Sequence, residues 1–119
     1  MQYMMMIIED ENAYTAPGAM EAIIAKHIEF GMNNGAAIVG GNGLQPALTA
    51  TTLRRTGGSH TVHDGPFAES REQLGGYYVI EAADLDAALA IAKQIPMAGD
   101  GAIEVRPVLP TPAELTEQA

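Results

Sequence analysis

Cysteine is absent from this 119-residue chain, and so is tryptophan. Without a thiol there is no disulfide framework, no thiolate zinc site and no cysteine nucleophile, which closes three classes of chemistry together. A single domain of this length can bury a core without such staples, and the lack of cysteine fits a cytoplasmic setting. Basic residues are scarce as well: six stand against fifteen acidic ones, for a formal charge of −9. They are scattered as Lys26, Arg54, Arg55, Arg71, Lys93 and Arg106, whereas duplex binding needs clustered cations that displace counterions. Nucleic acid and anionic membrane surfaces are therefore not expected partners. Long apolar runs are missing too. Met4 to Ile8 is too short for a signal-peptide core and has no basic flank, and nothing approaches the length of a membrane span.

What is present alternates between strand and helix patterns. Tyr3 to Ile8 is an unbroken apolar run ended by Glu9, Asp10, Glu11 and Asn12, as in a central strand buried on both faces. Its methionines read as adaptable core filler. Thr15 and Pro17 signal the start of a first helix, on which Met20, Ile23, Ile24, His27, Ile28 and Gly31 recur at helical spacing up to Asn33-Asn34-Gly35. That stripe is expected to face a sheet. Ala36 to Val39 reads as a second strand running into a glycine-rich turn, Gly40-Gly41-Asn42-Gly43. Thr49 to Thr56 and Ser59 to His63 read as a hairpin closed by Gly57-Gly58. Gly76 to Glu81 is a further strand, and Asp84 caps a second helix with Leu85, Ala88, Leu89 and Ala92 on one stripe before Pro96. Ala102 to Val108 is the last strand. Residues 1–109 form the domain, and residues 110–119 are a polar, proline-broken tail expected to be frayed or partner-dependent.

The order β-α-β, hairpin, β-α-β predicts an α+β fold of ferredoxin-like plan, with both helices on one face of the sheet. Strands that are apolar on both faces then need a cover on the side without helices. A second copy of the chain supplies it, so a homodimer is expected.

Asp64-Gly65-Pro66-Phe67 packs an acid, a turn dipeptide and an aromatic into four positions. Together with Gly40 to Pro46, Glu72 to Tyr78 and Ala102 to Pro107, it resembles the pattern of the YCII-related, or DGPF-domain, proteins over residues 1–109. The resemblance implies a dimeric α/β barrel and a cleft that takes a small molecule. Some enzyme-like members place a histidine on the first helix opposite an aspartate in the turn after the second strand. His27 matches that histidine to within one helical turn. Asn42 occupies the region of the aspartate, and its amide can orient an imidazole but not accept its proton. Other members occur beside or fused to extracytoplasmic-function sigma factors. The resemblance thus also implies a regulatory or ligand-sensing module without turnover, and the acidic surface suits a protein partner better than DNA.

His27 lies near the centre of its stripe. It is either a core histidine donating to a backbone carbonyl or a general acid–base held near neutral pKa by partial burial and a carboxylate. Asp64 is the remaining carboxylate, and it can cap its own turn while presenting a second oxygen to a pocket. His60 and His63 are three apart and so on opposite strand faces, which makes no metal site; one of them lines a cavity. Phe67, Tyr77 and Tyr78 can wall a pocket, with one tyrosine toward the helices and the other toward the dimer interior. Gly40 to Gly43 lacks the Lys-Ser or Lys-Thr and the following helix of a phosphate loop. The expected site is a cleft between the first helix, the Asp-Gly-Pro-Phe turn and the sheet. His27 and Asp64 form its acid–base pair, with Asn42, His63, Phe67, Glu69, Tyr77 and Tyr78 around the substrate. Hydrolysis or proton transfer without cofactor or metal is the expected chemistry.

Overall fold

A computed structural model describes residues 1–118. The elements are β1 Gln2–Asp10, α1 Ala19–Asn33, β2 Ile38–Gly43, β3 Thr51–Thr56, β4 Ser59–Asp64, β5 Glu72–Glu81, α2 Leu85–Ala92, β6 Gly101–Pro107 and α3 Pro112–Gln118. Four strands form one sheet in the order β2-β5-β1-β6, every neighbouring pair antiparallel. This is the α+β ferredoxin-like plan, with β3 and β4 paired apart from it as a two-stranded ribbon.

The barrel is not formed. The four-stranded sheet is open, with β2 and β6 as its edges, and the ribbon does not join it. Closure requires edge strands that reach each other, and four strands are too few to curve round on themselves.

Alternation along β1 divides the sheet into two faces. Tyr3, Met5 and Ile7 are buried, and they join Phe30 of α1, Ala88 and Ala92 of α2, Ile80 and Ile95 in one core. Both helices therefore cover the same face. Met5 and Ile80 are wholly enclosed, each contributing about 1.5–3 kcal/mol by burial. Met4, Met6, Ile8, Tyr77 and Val79 point to the other face and are only half-buried. The molecule measures 45 × 44 × 18 Å, and its short dimension leaves room for one sheet and one helix layer, with no third layer on that face.

Local signals explain most of the elements. Asp84 caps α2, its Oδ1 accepting from the Ala87 N–H at 2.8 Å. Gly57 and Gly58, at φ +56° and +82°, make the two-residue turn that continues the twist of the ribbon. Other expectations are corrected. The N-cap of α1 is Gly18, with no side-chain cap, while Thr15 bonds back to the Asn12 carbonyl. The helix is also rotated from its apparent stripe: Ile23 and Phe30 are buried, but Met20, Ile24 and Ile28 are exposed. On α2, Ala88 and Ala92 are buried while Leu85 and Leu89 are not. Gly40 to Gly43 is strand rather than turn, paired with β5. The tail carries the short helix α3, and Ala119 lies outside the described residues.

Candidate functional site

A cavity of about 450 Å³ opens between α1 and the β2–β5 side of the sheet. Ile24, His27 and Ile28 form its helical wall, and Ile7, Glu9, Tyr77 and Tyr78 line it from the sheet. Its floor is made of glycine: Gly41, Gly43, Gly75 and Gly76. The chain needs glycine there. A Cβ on Gly41, whose φ is +155°, would lie 2.5 Å from the Tyr77 carbonyl oxygen, and one on Gly76 would lie 2.9 Å from that of Asn42. The absence of side chains brings backbone close and leaves a bare surface on which a flat molecule can rest.

His27 is half-buried, and its Nδ1 is 2.8 Å from the Tyr78 hydroxyl. The two rings stack at 5.9 Å between centroids, and Tyr78 packs in turn on Phe30 at 4.9 Å. Burial pushes the imidazole pKa below its ordinary value and the Tyr78 phenol above its own. Both groups are thus neutral near pH 7. When the phenol donates to Nδ1, the ring proton sits on Nε2; when Nδ1–H donates to the phenol oxygen, Nε2 is left as a base. Either tautomer keeps the hydrogen bond, so Nε2 is a donor in one and a base in the other.

Glu9 was read from the sequence only as a charge that ends the first strand. It follows Tyr3, Met5 and Ile7 in strand parity and so turns to the helix face. A bulge in β5, where Gly75 has no partner between Ile7↔Gly76 and Ile8↔Leu74, makes room for it. A Cβ on Gly75 would meet Glu9 Oε2 at 2.9 Å. The Tyr14 hydroxyl donates to Glu9 Oε1 at 2.5 Å, and the Ala98 N–H donates to the Tyr14 oxygen. Burial first, then the bond to Glu9, push the Tyr14 phenol up to about 12. The short charge-assisted bond fixes the carboxylate at the cavity floor.

The remaining candidates divide. Asn42 lines the His27 cavity, and its Nδ2 donates to the Tyr77 hydroxyl at 3.2 Å. Asp64 and Glu69 line a different cavity with Asp10, Glu11 and Arg71, so one chain does not bring Asp64 beside His27. No side-chain hydrogen bond ties Asp64 to its turn among the described residues; the Gly65 N–H bonds the Ala50 carbonyl instead. Phe67 is exposed beneath the Arg54 guanidinium, 4.9 Å from the ring centroid. His63 lies on exposed β4 opposite Thr52, and His60 accepts from Arg55 on the other face of the ribbon. Among the described residues no group of three or more His, Asp or Glu side chains is arranged to hold a metal ion, and no helix is long and apolar enough to cross a membrane.

Residues 1–112 match the model of the YCII-related domain family. An uncharacterized protein of Rhizobium meliloti (strain 1021) is 41% identical over 99 residues, covering 81% of this chain and 76% of the relative. Among solved structures, 5-chloro-2-hydroxyhydroquinone dehydrochlorinase from Burkholderia phenoliruptrix AC1100, in complex with 2,5-dihydroxybenzoquinone, aligns over 92% of this chain and 94% of its own at 17% identity and a TM-score of 0.49.

Proposed function

Because this chain belongs to the YCII-related domain family, we propose that it is a homodimer that binds a small molecule in the α1 cleft and carries out acid–base chemistry on His27. The observation that carries this reading is the neutral, half-buried imidazole facing an apolar-walled cavity while bonded to Tyr78. A neutral base shielded from bulk water, with a second proton-bearing group on its far nitrogen, suits proton abstraction or general-base hydrolysis. Glu9 is the carboxylate of the same cavity and Tyr78 positions the substrate, while Asn42 and Tyr77, bonded to each other, border it from the other face of the sheet. The glycine floor favours a flat substrate. Asp64, His63, Phe67 and Glu69 belong to the base of the ribbon, where they would serve a partner contact or the second cavity. The half-buried apolar face of Met4, Met6 and Ile8 is the surface that a second copy would cover. A chain without cysteine suits the cytoplasm.

A second reading keeps the cleft and drops the turnover. Tyr78 already occupies one imidazole nitrogen, and among the described residues no carboxylate bonds the ring, which suits a ligand sensor acting on a protein partner such as a sigma factor.

A metabolite-library thermal-shift screen on the wild type and His27→Ala separates these. A compound that stabilises the wild type by RT ln(1 + [L]/Kd), loses that effect in the variant and is chemically changed on incubation supports the enzyme. Stabilisation without chemical change supports the sensor. A hit that stabilises both proteins equally would remove His27 from the site.

A further inference from the structure

The β3–β4 ribbon has little to hold it. Apart from Thr52, every residue of its two strands is exposed, and an isolated two-stranded ribbon is marginal in water. The radius of gyration of 16.7 Å exceeds the roughly 13.5 Å of a compact chain this long. Leu53 and Val62 are cross-strand partners and so share a face, on which they are 61% and 65% exposed. Arg55 and His60 form the next pair on that face, and Arg55 Nε–H donates to His60 Nε2 at 3.0 Å. This face joins an apolar centre to a fixed cation.

Charge narrows the choice of what covers it. The ribbon, residues 51–64, holds Arg54 and Arg55 against the single carboxylate Asp64, a charge of +1; the whole chain is −9, so the remainder carries −10. Ribbon against ribbon would oppose like charges, whereas ribbon against the body of another copy joins opposite ones. The body also offers a matching apolar strip. On α1, Ile24 and Ile28 are 51% and 60% exposed although both wall the cleft, and Glu21, three residues before Ile24, lies beside them at helical spacing and is also exposed. Six strand residues reach about 20 Å, twice the roughly 10 Å between stacked sheets.

We propose that the β3–β4 ribbon of one copy lies along α1 of a second copy, with Leu53 and Val62 on Ile24 and Ile28 and Arg55 toward Glu21. Each ribbon then roofs the partner's cleft, and the site is complete only in the dimer. The proposal rests on the homodimer reading.

The cysteine-free chain permits a direct test. A chain carrying Ile28→Cys and Leu53→Cys is oxidised mildly, separated without reductant, and its linked peptides are identified by mass spectrometry. The expected product is a covalent dimer joined from position 28 of one chain to position 53 of the other. A dimer by light scattering whose thiols stay free, or which links only 53 to 53, overturns the ribbon contact and leaves the homodimer standing; a 28–53 link within a monomer does the same. A wild type that is monomeric at micromolar concentration overturns both. In parallel, Leu53→Asp with Arg55→Glu, both on exposed ribbon, is expected to raise the dimer Kd at least about tenfold with an unchanged far-ultraviolet spectrum. An unchanged Kd would count against the contact.

Discussion

Replacing Tyr78 by phenylalanine tests the centre of the candidate site. The ring packs on Phe30 at 4.9 Å and stacks on His27 at 5.9 Å, and both contacts survive in Tyr78→Phe. What is lost is the 2.8 Å bond to His27 Nδ1. A neutral hydrogen bond contributes about 1 kcal/mol net, which in a domain of this size is a fall in Tm of about 4 °C. His27→Leu removes the other partner while keeping bulk. Each single variant leaves a half-buried polar group without its mate, so the double variant should be less destabilised than the sum of the two. We expect a coupling of about 0.5–1.5 kcal/mol from urea denaturation of the four proteins. The imidazole nitrogen signals should move in Tyr78→Phe, because the tautomer is no longer fixed at Nδ1. Coupling within about 0.3 kcal/mol of zero, with unmoved nitrogen signals, would refute the pair as a bonded unit and with it the control of the ring tautomer.

Three further outcomes are expected. Burial holds the His27 pKa below its ordinary 6.5, so on acidification the unfolded chain takes up the proton first. Its share of stability should fall as pH drops through 6.5 toward the lower folded value and level off below that; urea titrations at several pH values should show this slope in the wild type and lose it in His27→Leu. Glu9→Gln keeps an acceptor for Tyr14 but removes the charge, costing about 1 kcal/mol. Ultraviolet titration should then place the Tyr14 phenol below about 12 yet above 10, because burial is the larger cause and remains. Gly76→Ala drives a methyl to 2.9 Å from the Asn42 carbonyl and 3.3 Å from Gly43 Cα. Backbone cannot swing aside as a side chain can, so a loss of about 2 kcal/mol is expected, and any compound that stabilises the wild type through the cleft should stabilise this variant less.

The features that could be read from the sequence are those set by neighbours along the chain. The Gly57-Gly58 turn and the Asp84 cap each depend on a few adjacent residues, and each stands where expected; β1 is a strand as expected, but it is buried on one face and only half-buried on the other, where burial on both was expected. Features set by distant partners were harder to see. Gly40 to Gly43 resembled a turn because glycine weakens strands, yet Gly41 is in a strand because β5 passes so close that a Cβ would strike the Tyr77 carbonyl. Glu9 was hidden by the habit of reading a carboxylate after an apolar run as a terminator. Extending the parity of Tyr3, Met5 and Ile7 by one step would have placed it on the helix face. That Asp64 and His27 would line different cavities depended on the direction taken by the ribbon, for which no local signal exists.

The rotation of α1 has a different origin. An apolar stripe in a sequence marks every residue that evolution keeps from water, whether its cover comes from the same chain or another. On α1 the stripe centred on Ile24, His27 and Ile28, whereas the chain's own core takes Ile23 and Phe30. The two directions differ by roughly a quadrant at 100° per residue. His27 lies between them, bonded to Tyr78 on the core side and facing the cleft on the other. The excess stripe of Ile24 and Ile28 is therefore not noise in the pattern. It measures a burial that one copy leaves unmade, at the wall of the cleft that the proposed ribbon contact would complete.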